Sequence, residues 1–106
     1  MGKEVEDDID RPLGSKHPKF GFVYEVNYGF VPNTKAPDGK ELDAYFLGVK
    51  TPVEKATGVG KAVIHRTKDD DDKLVVMPKE VDMSDEEILQ AAHFMEKWFE
   101  HELVRQ

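Results

Sequence analysis

Asp38-Gly39-Lys40-Glu41-Leu42-Asp43-Ala44-Tyr45 runs without a break into Phe46-Leu47-Gly48-Val49. The glycine makes a turn, and the run that follows is apolar on both faces, which predicts a strand central in a sheet or barrel. Two carboxylates, Asp38 and Asp43, flank the turn. A carboxylate at the mouth of an apolar run is costly to bury alone and seeks water, a cation or a hydrogen-bond donor. Together they suit a shared metal; equally, Asp-Gly is a common hairpin pair and Asp43 an ordinary outward residue of an edge strand.

Toward the C-terminus, Thr51-Pro52 ends this strand and Gly58-Val59-Gly60 opens another over Lys61 to Arg66. His65 there reads as a wall residue. Lys68-Asp69-Asp70-Asp71-Asp72-Lys73 is a solvated loop of four mutually repelling acids leading into the strand Leu74-Val75-Val76-Met77. Strand alternation would put Asp69, Asp71 and Lys73 on one face, where carboxylate and ammonium suit a metal and the phosphate it bridges. A helix is predicted over about 84–104. Ser84 is its N-cap, Glu87 completes a capping box, Met83 staples against Ile88, and Ile88, Ala92, Met95, Phe99 and Leu103 recur at helical spacing.

Toward the N-terminus, Phe20 to Val26 alternates like a strand, and Asn27 to Thr34 reads as a turn. Tyr28 beside Gly29 is either a core aromatic or a phenol at a place where backbone approaches a ligand. Before it, Pro12, Gly14 and Pro18 forbid a helix, so Ile9 to Lys19 reads as a short strand entering a loop with four potential cations, Arg11, Lys16, His17 and Lys19. Several strands followed by one amphipathic helix predict a mainly β (α+β) fold, a small OB-like antiparallel barrel covered by a C-terminal packing helix, with residues 1–106 as one domain.

The net charge of −7 and pI near 5.0 argue against a protein that grips nucleic acid or anionic membrane through a general positive field. An anionic substrate then needs local cations or a bridging metal. The absence of cysteine removes disulfides, thiolate metal sites and cysteine nucleophiles. No apolar run approaches bilayer-spanning length, and the acidic first ten residues do not resemble a signal peptide, so a soluble cytoplasmic protein is expected. The thin core of a chain this small makes self-association into a homo-oligomer plausible.

Three segments, Val26-Asn27-Tyr28-Gly29-Phe30-Val31-Pro32-Asn33-Thr34, Asp38 to Asp43, and Asp71-Asp72-Lys73-Leu74-Val75-Val76-Met77-Pro78, resemble, in order, the core stretches of the soluble family I inorganic pyrophosphatases. Ala92-His93-Phe94 is similar to the start of that family's last helix. The resemblance implies a five-stranded OB-like barrel, bound Mg²⁺, and hydrolysis of pyrophosphate to two phosphates. By position it implies Asp38, Asp43 and Asp71 as metal ligands, with Asp69 or Asp70 as a further one, Lys73 on phosphate, and Tyr28 at the site. Lys40 stands where the family signature has the aspartate that helps activate water; here it would replace one metal's charge and alter or weaken the reaction. Trp98 and Phe99 stand where the family holds phosphate with a tyrosine and a lysine, and Arg11, Lys16 or Lys19 are the candidates to replace a lost cationic contact. The alternatives are a non-catalytic barrel that binds metal and a phosphate-bearing ligand, and an interaction subunit with no ligand.

Overall fold

The computed structural model describes residues 4–32, 34, 39, 41–68, 72–97 and 99–105. The elements are β1 (Glu4–Arg11), β2 (Asn27–Val31), β3 (Leu42–Phe46), β4 (Lys55–Arg66), β5 (Asp72–Met77), α1 (Asp85–Glu96) and β6 (His101–Arg105). The sheet order is β1-β2-β3-β5-β4, and β1 also pairs with β4, so these strands close into a barrel. Its pairs are antiparallel except β3 with β5, which run parallel because β4 crosses between them. The expected OB-like barrel is therefore present, with one parallel pair in it.

β4 is long enough for two partners. Its first half, Lys55 to Val59, pairs with β1, and its second, Ala62 to Arg66, pairs with β6. This second pairing corrects the predicted helix. The helix ends at Glu96, capped by Lys97, whose N–H donates to the His93 carbonyl, and residues 101–105 form a strand. The four-residue recurrence that reached Phe99 and Leu103 continues by coincidence. What decides the conformation is the otherwise unpaired edge of β4, against which Leu103 lies opposite Ile64.

Two further expectations are corrected. Phe20 to Val26 is not a strand: the His17 ring nitrogen Nδ1 accepts from the Lys19 and Phe20 N–H groups, at 3.1 Å each, and folds the segment back on itself. Only a Lys16–Val23 bridge remains of sheet pairing there. Conversely, residues 27–31 form β2 rather than a turn. Gly29 serves this crossing directly, since a Cβ on it would lie 1.9 Å from the Asp8 carbonyl oxygen of β1. The glycine admits a neighbouring strand, not a ligand. Gly39, ahead of β3, has φ 84°, the left-handed region that suits glycine.

Two apolar layers result. Ile9, Val31, Ala44, Phe46, Leu74 and Val76, with Val63 beside them, come from all five barrel strands and no helix, and fill the interior. Tyr28, Tyr45, Ala62, Ile64, Val75 and Met77 face the other way and pack against Ile88, Ala92 and Phe94 of α1. Asp7 alternates with Val5 and Ile9 on β1 and so points inward. It is fully buried, and among the described residues neither carboxylate oxygen has a hydrogen-bond partner.

The helix start is as the sequence predicts. Ser84 Oγ accepts from the Glu87 N–H at 3.2 Å, and the Glu87 carboxylate accepts from the Ser84 N–H at 3.0 Å. Ser84→Ala is therefore expected to cost about 1 kcal/mol in denaturant unfolding.

Candidate active site

Register builds the site. One row across the sheet runs Phe30, Asp43, Lys73, Ile64, and the next runs Tyr28, Tyr45, Val75, Ala62. Asp43 and Lys73 thus stand directly opposite each other on neighbouring strands, on the side that faces α1, with Tyr28 two residues from Phe30 on the same side. At this end of the sheet the rows leave a polar cavity of about 530 Å³, whose walls include Arg11, Asp43, Tyr28, Arg66 and Lys73.

The back of this cavity is an ionic cluster. Lys73 is 1 % exposed and Glu96 fully buried. The Lys73 ammonium donates to Glu96 Oε2 at 2.9 Å, Arg66 Nε donates to Oε1 at 2.9 Å, and the Tyr45 hydroxyl donates to Oε2 at 2.5 Å. Burial alone would push the Glu96 carboxyl up, but the Arg66 hydrogen bond, the Lys73 charge and the Tyr45 hydroxyl bring it down to about 2. Tyr45 is held well above its ordinary value, first by burial and then by the Glu96 charge. Lys73 also lies 5.5 Å from the Tyr28 ring centroid and 5.8 Å from that of Tyr45, within cation–π range. One carboxylate therefore fixes two cations whose side chains line the cavity.

At the mouth, burial raises the Tyr24 phenol, against the lowering influence of the nearby Arg11 charge. Tyr24, Asp10 and His17 complete the polar wall. Behind them, the buried Asn27 pins two loops: its side-chain oxygen accepts from the Leu13 and Val53 N–H groups, and its amide donates to the Thr51 carbonyl.

Of the residues singled out in the sequence, Tyr28, Asp43, Lys73 and Arg11 meet in this cavity. Lys16 does not line it and sits exposed beside Val23. Asp38, Lys40, Asp69, Asp70, Asp71 and Trp98 lie outside the described residues. His65 is a wall residue as expected, paired through Nδ1 with the Asp72 carboxylate. Phe99 follows the helix rather than belonging to it, and the Arg66 guanidinium carbon stacks 3.7 Å from its ring centroid.

Glu96 and Arg66 were not singled out in the sequence. Both carry a signal. Glu96 falls four residues after Ala92 and eight after Ile88, on the apolar stripe of the helix, and Arg66 falls on the alternation that buries Ala62 and Ile64. A charge at a core-facing position usually has a partner of opposite sign.

A model of the inorganic pyrophosphatase family matches residues 4–104, all but the ends of the chain. The chain belongs to the inorganic pyrophosphatase family. As a member it is a phosphoanhydride hydrolase. No curated protein matches it by sequence. Among solved structures, the inorganic pyrophosphatase of Helicobacter pylori superposes with a TM-score of 0.75 at 18% identity, over 98% of this chain and 85% of that one. That of Ehrlichia chaffeensis gives 0.73 at 21% identity, over 94% and 83%. The enzyme from Thermus thermophilus gives 0.64 at 21%, over 95% and 80%. The pyrophosphatase fold is thus kept at low identity.

The donor chemistry of this pyrophosphatase-family cavity fits a hard divalent cation. Asp10 and Asp43 bring carboxylate oxygen to its wall, and the chain has no cysteine to favour a softer metal. Among the described residues no three His, Asp or Glu side chains converge into a cluster, so these two carboxylates are what the described part of the cavity offers a cation.

Proposed function

We propose that this chain hydrolyses inorganic pyrophosphate to two phosphates in a Mg²⁺-dependent reaction. The observation that carries the reading is the facing pair of Asp43 and Lys73 in a cavity that also gathers Arg11, Arg66 and Tyr28. Pyrophosphate is strongly anionic and the protein carries a net charge of −7, so the substrate requires concentrated local cations. Lys73 and Arg66, fixed by Glu96, bind phosphate oxygens at the back, Arg11 binds at the mouth, and the Tyr28 hydroxyl adds a hydrogen bond. Asp43 is the cavity-wall ligand for Mg²⁺, with Asp38, Asp71 and Asp69 as the other proposed ligands, and Lys40 takes the place of one metal's charge. Bound there, the ion supplies a water of lowered pKa and neutralises phosphate oxygens. The chain's own cations stabilise the charge that gathers on the departing phosphate.

The reading includes one domain over residues 1–106 working in a cytoplasmic homo-oligomer, supported by the small core. No helix among the described residues is long and apolar enough to cross a membrane.

The test is phosphate release from pyrophosphate with Mg²⁺ and with EDTA, on the wild type and Asp43→Asn. Turnover that requires Mg²⁺ and falls at least about tenfold in Asp43→Asn is expected. A wild-type protein that releases no phosphate above a protein-free control would overturn the reading.

A further inference from the structure

The polar cavity does not end at its apolar side. A second cavity of about 540 Å³ adjoins it, with His17, Phe20, Phe22, Phe94, Met95 and Phe99 among its walls. The two share His17, Arg66 and Met95, so they form one continuous surface with a cationic end and an aromatic end. Phe20 is 70 % exposed and Phe99 42 % exposed, so this side of the surface presents aromatic rings to an occupant. Inorganic pyrophosphate has no apolar group to place there.

We infer that the site takes nucleoside diphosphates, with the terminal phosphoanhydride in the polar cavity and the nucleobase in the aromatic one. This rests on the hydrolase reading above and names its substrate class. Three observations favour a flat, polar-edged group over a flexible hydrocarbon. His17 lies 4.9 Å from Phe20 and 4.8 Å from Phe22 between ring centroids, tilted by about 30°, and Phe94 meets Phe22 edge-on at 6.2 Å, so the wall is a cluster of aromatic rings in mutual contact. Arg66 stacked on Phe99 adds a planar cation at the junction of the two cavities. Lys97 stands at the rim, and cations and aromatic faces together are what nucleobases stack against. His17 accepts at Nδ1 from two backbone N–H groups, which leaves its donor at Nε2 and fixes the ring that both cavities share. In the reaction, water oxygen bonds to the terminal phosphorus as the bond from that phosphorus to the bridging oxygen breaks. The bridging oxygen leaves on the nucleoside monophosphate, and the proton lost by water passes to solvent.

The experiment is calorimetric binding with Mg²⁺ present, comparing α,β-methylene-ADP with methylenediphosphonate. The wild type is expected to bind the nucleotide analogue about tenfold more tightly. Phe20→Ala, a change at an exposed side chain, is expected to erase that preference and leave methylenediphosphonate affinity unchanged, while Phe20→Trp restores it. Equal wild-type affinities, a preference that survives Phe20→Ala, or tighter binding of farnesyl diphosphate than of the nucleotide analogue would overturn the inference. So would a dimer that Phe20→Ala dissociates without changing nucleotide affinity, because a second copy would then occupy the face. With pyrophosphate turnover intact, these results remove only the nucleotide assignment. If neither diphosphonate binds and no turnover is seen, the hydrolase reading falls with it.

Discussion

Glu96→Gln is expected to destabilise the protein by about 3–5 kcal/mol. The substitution keeps the shape of the side chain but removes a charge that Lys73 and Arg66 both contact at 2.9 Å. Both partners are buried, so each loses compensation where solvent cannot supply it. The amide also turns a donor toward them. Tyr45→Phe, which removes one neutral donor to the Glu96 carboxylate, should cost less, about 2 kcal/mol. Guanidinium unfolding of the two variants measures the contrast, and similar small losses in both would mean that the cluster is not holding the barrel to the helix. The pH dependence follows from the same contacts. Glu96 is held at about 2 against an ordinary 4.5, so the folded state binds fewer protons than the unfolded chain. Its contribution is complete above pH 4.5 and is lost as the pH falls toward 2.

Asp7 tilts stability the other way. Burial first, then the neighbouring Asp10 and Asp8 charges, raise its carboxyl from 3.8 to about 8. The folded state therefore binds more protons than the unfolded chain over that interval, and stability falls as the pH rises through it. The loss attributable to this one group between pH 4 and pH 8 is on the order of 4 kcal/mol. Asp7→Val places a β-branched apolar side chain among Val5, Ile9 and the inner layer, and is expected to stabilise the protein at pH 8 and flatten the profile above pH 4. Thermal or denaturant unfolding across pH 4–8 reads both effects. A variant less stable than the wild type at pH 8 would show that the carboxylate has a native partner.

These two acids mark the boundary of what the sequence discloses. The capping box at Ser84 and Glu87, the strand after Gly39 and the strand of Leu74 to Met77 are local patterns, and each was legible. Asp7 looks like a member of the acidic run at the start of a charged chain, and only the closure of β1 onto β4 buries it; Glu96 lies on the helix's apolar stripe, but its partners Lys73 and Arg66 are supplied by strands remote in sequence. β2 was hidden because Gly29 and Pro32 carry turn signals, although the glycine is required by the passage of β1. The last strand was hidden because Phe99 and Leu103 continue a helical spacing that the free edge of β4 overrides. Of the polar cavity's lining, the motifs single out Tyr28, Asp43 and Lys73. Arg66 escaped because its placement depends on Phe99 and Glu96, both remote in sequence.

The account turns on Asp43 presenting oxygen to a divalent cation across from the Lys73 and Arg66 charges. The direct measurement is the anomalous difference map of a crystal soaked in Mn²⁺ as a stand-in for Mg²⁺. The account predicts a peak at oxygen-ligand distance, roughly 2.0–2.4 Å, from the Asp43 carboxylate inside the polar cavity. A map with no peak there, from a crystal that binds Mn²⁺ elsewhere or not at all, would contradict it.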